Sequence, residues 1–189
     1  TARRSLNILF QEWGNRGLHF WEVGNTNVTL IQGSSTNVDA TDEGAGTYTF
    51  YRNAVDSAAA AAASPQATTV PTANVYGITD ILNIGFRQNY NTTSQSDVAL
   101  TKVDRSAYSG TANKATVGTP SQFWVQRFID RVTLTLYPLP NAAAAAATSK
   151  LMVYYVKRIQ DVGAFSNATD TPFRFVPCMV SGLTYLLSQ

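Results

Sequence analysis

Residues 96–140 read SDVALTKVDRSAYSGTANKATVGTPSQFWVQRFIDRVTLTLYPLP, two β-patterned segments flanking a polar loop. In the second, Val132, Leu134 and Leu136 alternate with Thr133, Thr135 and Tyr137, a period of two that predicts a half-buried strand. Val98 to Val103 is the first. Between them Gly118 permits an unusual backbone dihedral and Pro120 keeps Thr119 out of helical angles, so Phe123-Trp124 should enter a strand at a fixed angle. Lys114 is available for a carboxylate or carbonyl across a subunit boundary, or for a locally held turn.

Working outward, β character extends from Leu18 to Ile159. His19 to Val23 and Val28 to Ile31 flank Gly24-Asn25-Thr26-Asn27, a hairpin-like run of turn formers. Tyr48 to Arg52, Ile78 to Leu82 and Ile84 to Tyr90 are further strands. Leu151 to Arg158 is apolar on both faces, which calls for a place between two layers or a neighbouring subunit as cover. Both ends are helical. Leu6, Leu9, Phe10 and Trp13 form one apolar stripe, stopped by Gly14-Asn15-Arg16-Gly17. At the other end Thr171-Pro172 suggests an N-cap with proline at the first helical position, and Val176, Val180, Leu183 and Leu187 keep helical spacing. Pro177 requires a kink or a second helix start. Residues before Thr1 and a continuation beyond Gln189 are expected. The fold class is therefore α+β: residues 1–17 and 171–189 form a helical layer, and residues 18–159 a β-rich insertion, sheet or sandwich, between them.

Composition narrows the function. Of 189 residues, 44% are hydrophobic and only 14% charged, against about a quarter in typical soluble domains. Such a surface favours association. A net charge of +2 is too small for a protein that tracks phosphates, and no run reaches the roughly 20 apolar residues of a membrane helix. The two alanine runs, residues 58–63 and 142–147, are too short to nucleate helices alone; each is a low-complexity loop or alanine standing in for other side chains. The lone Cys178, among Val176, Met179 and Val180, is expected buried, and it excludes an internal disulfide.

Catalytic chemistry has little to work with. Asp39, Asp42 and Glu43 could pair as hydrolytic carboxylates or hold calcium, but their spacing matches no EF-hand and a solvated acidic loop fits better. His19, the one histidine, lies in an aromatic strand, so a packed role outweighs that of a base. Asn-X-Thr sequons at Asn27, Asn91 and Asn167 arise readily by chance in a chain rich in Asn and Thr. No catalytic, cofactor or metal residue is assigned.

The order Asn113-Lys114, Gly118, Pro120, Phe123-Trp124 and Tyr137-Pro138-Leu139-Pro140 resembles the middle of the head-to-tail adaptor proteins of short-tailed bacteriophages. ARRSLNILFQEWGNRGLHFWEV before it and TPFRFVPCMVSGLTYLL after it stand where that family would place them. The segment from Tyr51 to Val75 is longer and blander than the resemblance leads one to expect. The resemblance implies a structural virion protein at the head-tail interface, assembled in the host cytoplasm. It would form a closed twelvefold ring on the portal, hold the tail nozzle or tube, and let packaged duplex DNA pass without specific binding. Asn113, Lys114, Gly118, Pro120, Phe123, Trp124, Pro138 and Pro140 are then the interface candidates. Two rivals stand beside it: a tail-associated cell-wall hydrolase using Asp39, Asp42 and Glu43, and a glycan-binding tail module using exposed Trp13, Trp21 or Trp124.

Overall fold

The computed structural model describes residues 2–18, 22–33, 46–52, 77–129, 131–157 and 171–188. In chain order its elements are helix α1 (Ala2–Asn15) and strands β1 (Val23–Thr29), β2 (Thr47–Tyr51), β3 (Ile78–Gln88), β4 (Ser96–Ala99) and β5 (Thr101–Val103). Helix α2 (Arg105–Ser109) and strands β6 (Val117–Gly118), β7 (Gln122–Arg127), β8 (Arg131–Tyr137), β9 (Leu139–Pro140) and β10 (Lys150–Lys157) follow. A 3-10 turn (Phe173–Phe175) then leads into helix α3 (Val176–Ser188). The chain is α+β, with helices at both ends and strands between. It divides into two compact units, Thr1–Val23 with Lys157–Gln189, and Gly24–Val156.

In the first unit α1 buries the stripe its sequence announces. Leu9, Phe10 and Trp13 are covered, with Leu6, Leu18 and, from α3, Met179 and Leu186 packed against them. The helix closes through Leu18 N–H on the Trp13 carbonyl and Gly17 N–H on the Gly14 carbonyl, with Gly17 at φ 78°. That left-handed residue carries the paired bonds of a Schellman stop, and Leu18 packs back onto the same cluster.

α3 meets α1 on an unexpected face. Helix α3 begins at Val176, so Pro177 lies in its first turn, where a missing N–H costs nothing. Thr171 does not cap: Pro172 is extended and precedes the 3-10 turn, which has no side-chain cap. A Cβ on Gly182 would stand 2.8 Å from Leu9 Cδ1. Leu9 therefore seats at Gly182, turning Met179 and Leu186 inward. The stripe predicted to pack leaves Val180 at 54% and Leu187 at 51% exposed, and Cys178 is exposed too, not buried.

The second unit is a β-sandwich. One sheet has the order β1-β10-β3-β4, the other β2-β8-β7-β5, and β6-β9 form a small third sheet. Val28, Ile78, Ile81, Ile84, Phe86, Leu151, Val153 and Tyr155 from the first sheet share one apolar core with Tyr48, Phe50, Phe123, Val132, Leu134 and Leu136 from the second. The chain crosses between sheets at Leu100. Leu100 N–H bonds the Ile84 carbonyl and the adjacent Thr101 N–H bonds the carbonyl of Ser121, just ahead of β7 in the other sheet, so the predicted strand Val98–Val103 is two strands.

Three further expectations change, and the second alanine run proves to be a loop. Gly24-Asn25-Thr26-Asn27 is no hairpin turn but the middle of β1, with Gly24 required because a Cβ would stand 2.9 Å from the Tyr155 ring. The two strands expected around Asn83 are the single β3. Asp80 and Asn83 oxygens accept the N–H groups of Ile81 and Ile84, and the buried positions step by three before the usual two. β8 is covered on both faces, since Thr133 and Thr135 are buried opposite Thr49 and Thr47 of β2. Residues 142–147 are a turn in which Asn141 Oδ1 accepts from Ala144 N–H, and Ala144 enters the core. β10 lies between β1 and β3; Leu151, Val153 and Tyr155 enter the core, while on its other face Met152 and Val156 are buried and Tyr154 is 38% exposed.

Candidate functional site

The family-motif residues fall together in the sandwich unit as a chain of local anchors. Asp104 caps α2 by accepting from Ala107 N–H at 2.7 Å and Ser106 Oγ at 2.8 Å. Those bonds, the Ala107 amide foremost, hold its carboxyl below the usual carboxylate range. The cap sets a helix that carries buried Tyr108, whose ring stacks on Trp124 of β7 at 4.6 Å and 21°. Burial pushes the Tyr108 phenol up.

Lys114 completes that stack. Its Nζ donates to the Ser109 and Thr111 carbonyls, both at 3.2 Å, and lies 5.6 Å from the centre of the Tyr108 ring. The ammonium thus meets the carbonyls at the C-terminal end of α2 within its own subunit. Asn113 Oδ1 accepts from Ala115 N–H, and Thr116 Oγ1 donates to the Asn113 carbonyl. This turn feeds β6, which runs parallel to β9 with Val117 opposite Leu139 and Gly118 opposite Pro140.

Gly118 has no unusual dihedral. It is absent from the glycines with positive φ, and a Cβ there would meet Pro138 at an ordinary 3.5 Å. Pro120 is buried, and two residues later β7 starts. Phe123 enters the core and Trp124 points to the other face. Pro138 follows a cis peptide, and the Pro140 carbonyl accepts from Gly33 N–H at 2.7 Å.

Sequence reasoning missed the residues that this arrangement depends on most. Leu139 wedges against Gly33 and Gly46, where added Cβ atoms would lie 2.6 and 2.7 Å away. Tyr108 was not singled out, because nothing in local spacing ties it to Trp124. The eight motif residues hold loops to a sandwich and offer no nucleophile with a base. No group of three metal-ligating side chains occurs among the described residues.

The rival sites fare differently. Asp39, Asp42, Glu43, His19 and Trp21 lie outside the described residues. Trp13 is buried at 6% exposure, its ring edge-on to Phe175 at 6.1 Å, so it is not an exposed platform for a sugar. Trp124 gives one face to Tyr108. Several cations are matched: Arg87 binds Asp97 through two bonds, Arg127 binds Asp80 through two, and Arg16 pairs with Glu12.

Among the described residues, several apolar side chains are open, Val23, Leu82 and Val98 among them, and two places carry the most exposed. One is the edge of α3 with Phe173, 90% exposed; the other is the β7–β8 hairpin tip, where Ile129 is 96% exposed. No described helix is long and apolar enough to cross a membrane. Comparison with protein families, with curated proteins and with solved structures finds no match.

Proposed function

We propose that this chain is a structural subunit of the ring that joins portal to tail nozzle or tube in a short-tailed bacteriophage, closing the head after DNA packaging. The observation that carries the reading is α3. Its 13 residues include no charged side chain, and Val180, Leu187 and the preceding Phe173 face solvent. Exposed apolar surface of this kind marks contact with other protein. The motif order supplies the family, and a scaffold of loops anchored on a rigid sandwich suits a ring subunit with partners above and below.

The partners in this reading are further copies of the chain, in a twelvefold ring, the portal and the tail protein. Duplex DNA passes the lumen without specific binding, in keeping with the small net charge and the paired arginines. The reading assigns no catalytic residue. Phage lacking this chain should accumulate packaged heads that lose DNA and carry no tails, and supplying the chain in trans should restore tailed particles in electron micrographs. Normally tailed, infectious particles in its absence would refute the reading.

A further inference from the structure

The sheet ordered β1-β10-β3-β4 ends in two strands of complementary form. Among the described residues β1 and β4 are its outermost strands, each paired on one side only. All four residues of β4 are exposed. The end strand of the other sheet is different: Tyr48, Thr49 and Phe50 of β2 are 1–2% exposed, so that end is covered.

An edge strand presents unpaired N–H and C=O groups, and chains that stay monomeric guard it with lysine, proline or a bulge. β1, VGNTNVT, has neither charge nor proline. In β4, SDVA, the one charge is Asp97, and Arg87 of the same sheet takes it up through two bonds. Val98 lies opposite Phe86, whose side chain is in the core, yet Val98 is 54% exposed. One more strand beyond β4 would cover it.

Strand directions decide which strand fits. Gly24 stands against Tyr155 and Lys150 Nζ donates to Thr29, so β1 runs antiparallel to β10. Thr79 donates to the Val156 carbonyl and Tyr90 N–H to the Thr148 carbonyl, so β3 is antiparallel to β10 as well. β4 is antiparallel to β3. β1 and β4 therefore run in opposite senses at the two ends of one sheet. Neighbours in a twelvefold ring differ in orientation by only about 30°, so β1 of one copy meets β4 of the next antiparallel.

We infer that β4 of each copy takes β1 of the next copy as an added strand, so that the sheets of neighbouring subunits join edge to edge; this rests on the connector reading above. The hydrogen-bond phase names the atoms. Leu100 N–H bonds the Ile84 carbonyl, so Asp97 and Ala99 turn their N–H groups away from β3. Lys157 N–H bonds the Glu22 carbonyl, so by the same alternation Asn25, Asn27 and Thr29 turn theirs away from β10. Side-chain alternation agrees with that phase. Pairing these positions with one another puts Val98 on the core side with Val28, and buries no unpaired charge.

The test uses the full chain with its portal. Amide hydrogen exchange should slow in residues 23–29 and 96–99 together when the chain assembles on portal. Asn25→Pro and Ala99→Pro each remove one outward N–H at an edge position, where proline is tolerated, and Val98→Lys sets a charge in the joint without constraining the backbone. Circular dichroism checks that each variant folds. Each should lower the apparent affinity for portal by about tenfold and abolish cooperative filling, so that native mass spectrometry at half saturation shows scattered copies in place of full and empty rings. An equal mixture of Asn25→Pro and Ala99→Pro should give adjacent pairs that grow no further, since each supplies the edge that the other lacks. Wild-type chain that binds portal while both segments keep their free exchange rates, or folded variants that fill portal cooperatively, overturns the joint and leaves the connector reading standing. Slowing at 96–99 alone assigns the added strand to portal or to a second β4 and overturns the inference. Wild-type chain that never binds portal overturns both.

Discussion

Gly182 provides a severe test of how the terminal helices pack. Glycine inside a helix costs about 1 kcal/mol relative to alanine, so Gly182→Ala alone would stabilise α3 by that amount. Its new Cβ, however, would lie 2.8 and 3.0 Å from the two methyl carbons of Leu9, where carbon atoms prefer about 3.5–4.0 Å. Leu9 is 5% exposed and can yield only by disturbing Phe10, Trp13 and Met179 around it. Overpacking of this kind costs about 1–3 kcal/mol, so the net effect runs from neutral to about 2 kcal/mol destabilising. Leu9→Ala costs about 2–5 kcal/mol by itself, but it empties the space into which the new Cβ points. In that background Gly182→Ala should stabilise by about 1 kcal/mol. The double-mutant cycle then has a coupling of about 1–3 kcal/mol, equal to the overpacking that Leu9 imposes. Urea unfolding followed by far-ultraviolet circular dichroism measures all four proteins. Equal effects of Gly182→Ala in the two backgrounds would refute the packing of Leu9 on Gly182.

Burial pushes the Asp80 carboxyl up, but the Arg127 and Ile81 bonds and the Arg127 and Lys102 charges outweigh it and hold it below the usual range. A lowered folded value gives stability above the unfolded pKa of about 3.9 that is lost as pH falls through the folded value. Asp80→Asn should cost up to about 1 kcal/mol near neutral pH, the scale of a surface pair, and nothing once wild-type Asp80 is protonated; equal losses in urea at both pH values would count against the pair. Burial pushes the Tyr48 phenol up to about 12, partly offset by the N–H of Ile31 donating to it at 3.0 Å. The stability tied to neutral Tyr48 is complete below about 10, the ordinary value, and is lost as pH rises through the folded value. Spectrophotometric titration should show a late phenol that Tyr48→Phe removes. Peptidoglycan zymograms should stay uncleared and duplex DNA binding should be weak at physiological salt; clearing that vanishes on joint replacement of Asp39, Asp42 and Glu43 would move the hydrolase rival ahead.

Elements with strong local periodicity were legible. The α1 stripe, its stop at Gly17 and the helix start near Pro177 each follow from a rule spanning a few residues. Features decided by distant partners were not. Gly24 looks like a turn residue until Tyr155, more than a hundred positions away, is found against it. β3 looked like two strands because Asp80 and Asn83 shift its inward positions. The sheet crossing at Leu100 leaves no mark in the alternation around it. α3 has apolar residues on several sides, so its spacing alone could not say which side meets Leu9. At the candidate site, the pattern of glycine, proline and aromatic residues pointed to fixed loops. It could not show that Lys114 is spent on local carbonyls or that Tyr108 and Leu139 hold the structure together.

The central claim is that this chain works as a connector subunit, and the most direct measurement is the mass of the purified chain alone and after mixing with its portal. Multi-angle light scattering behind a sizing column should show the chain moving into a single large complex when portal is added, with one copy of the chain per portal subunit. A chain that keeps its own mass at every portal concentration and salt would contradict the account.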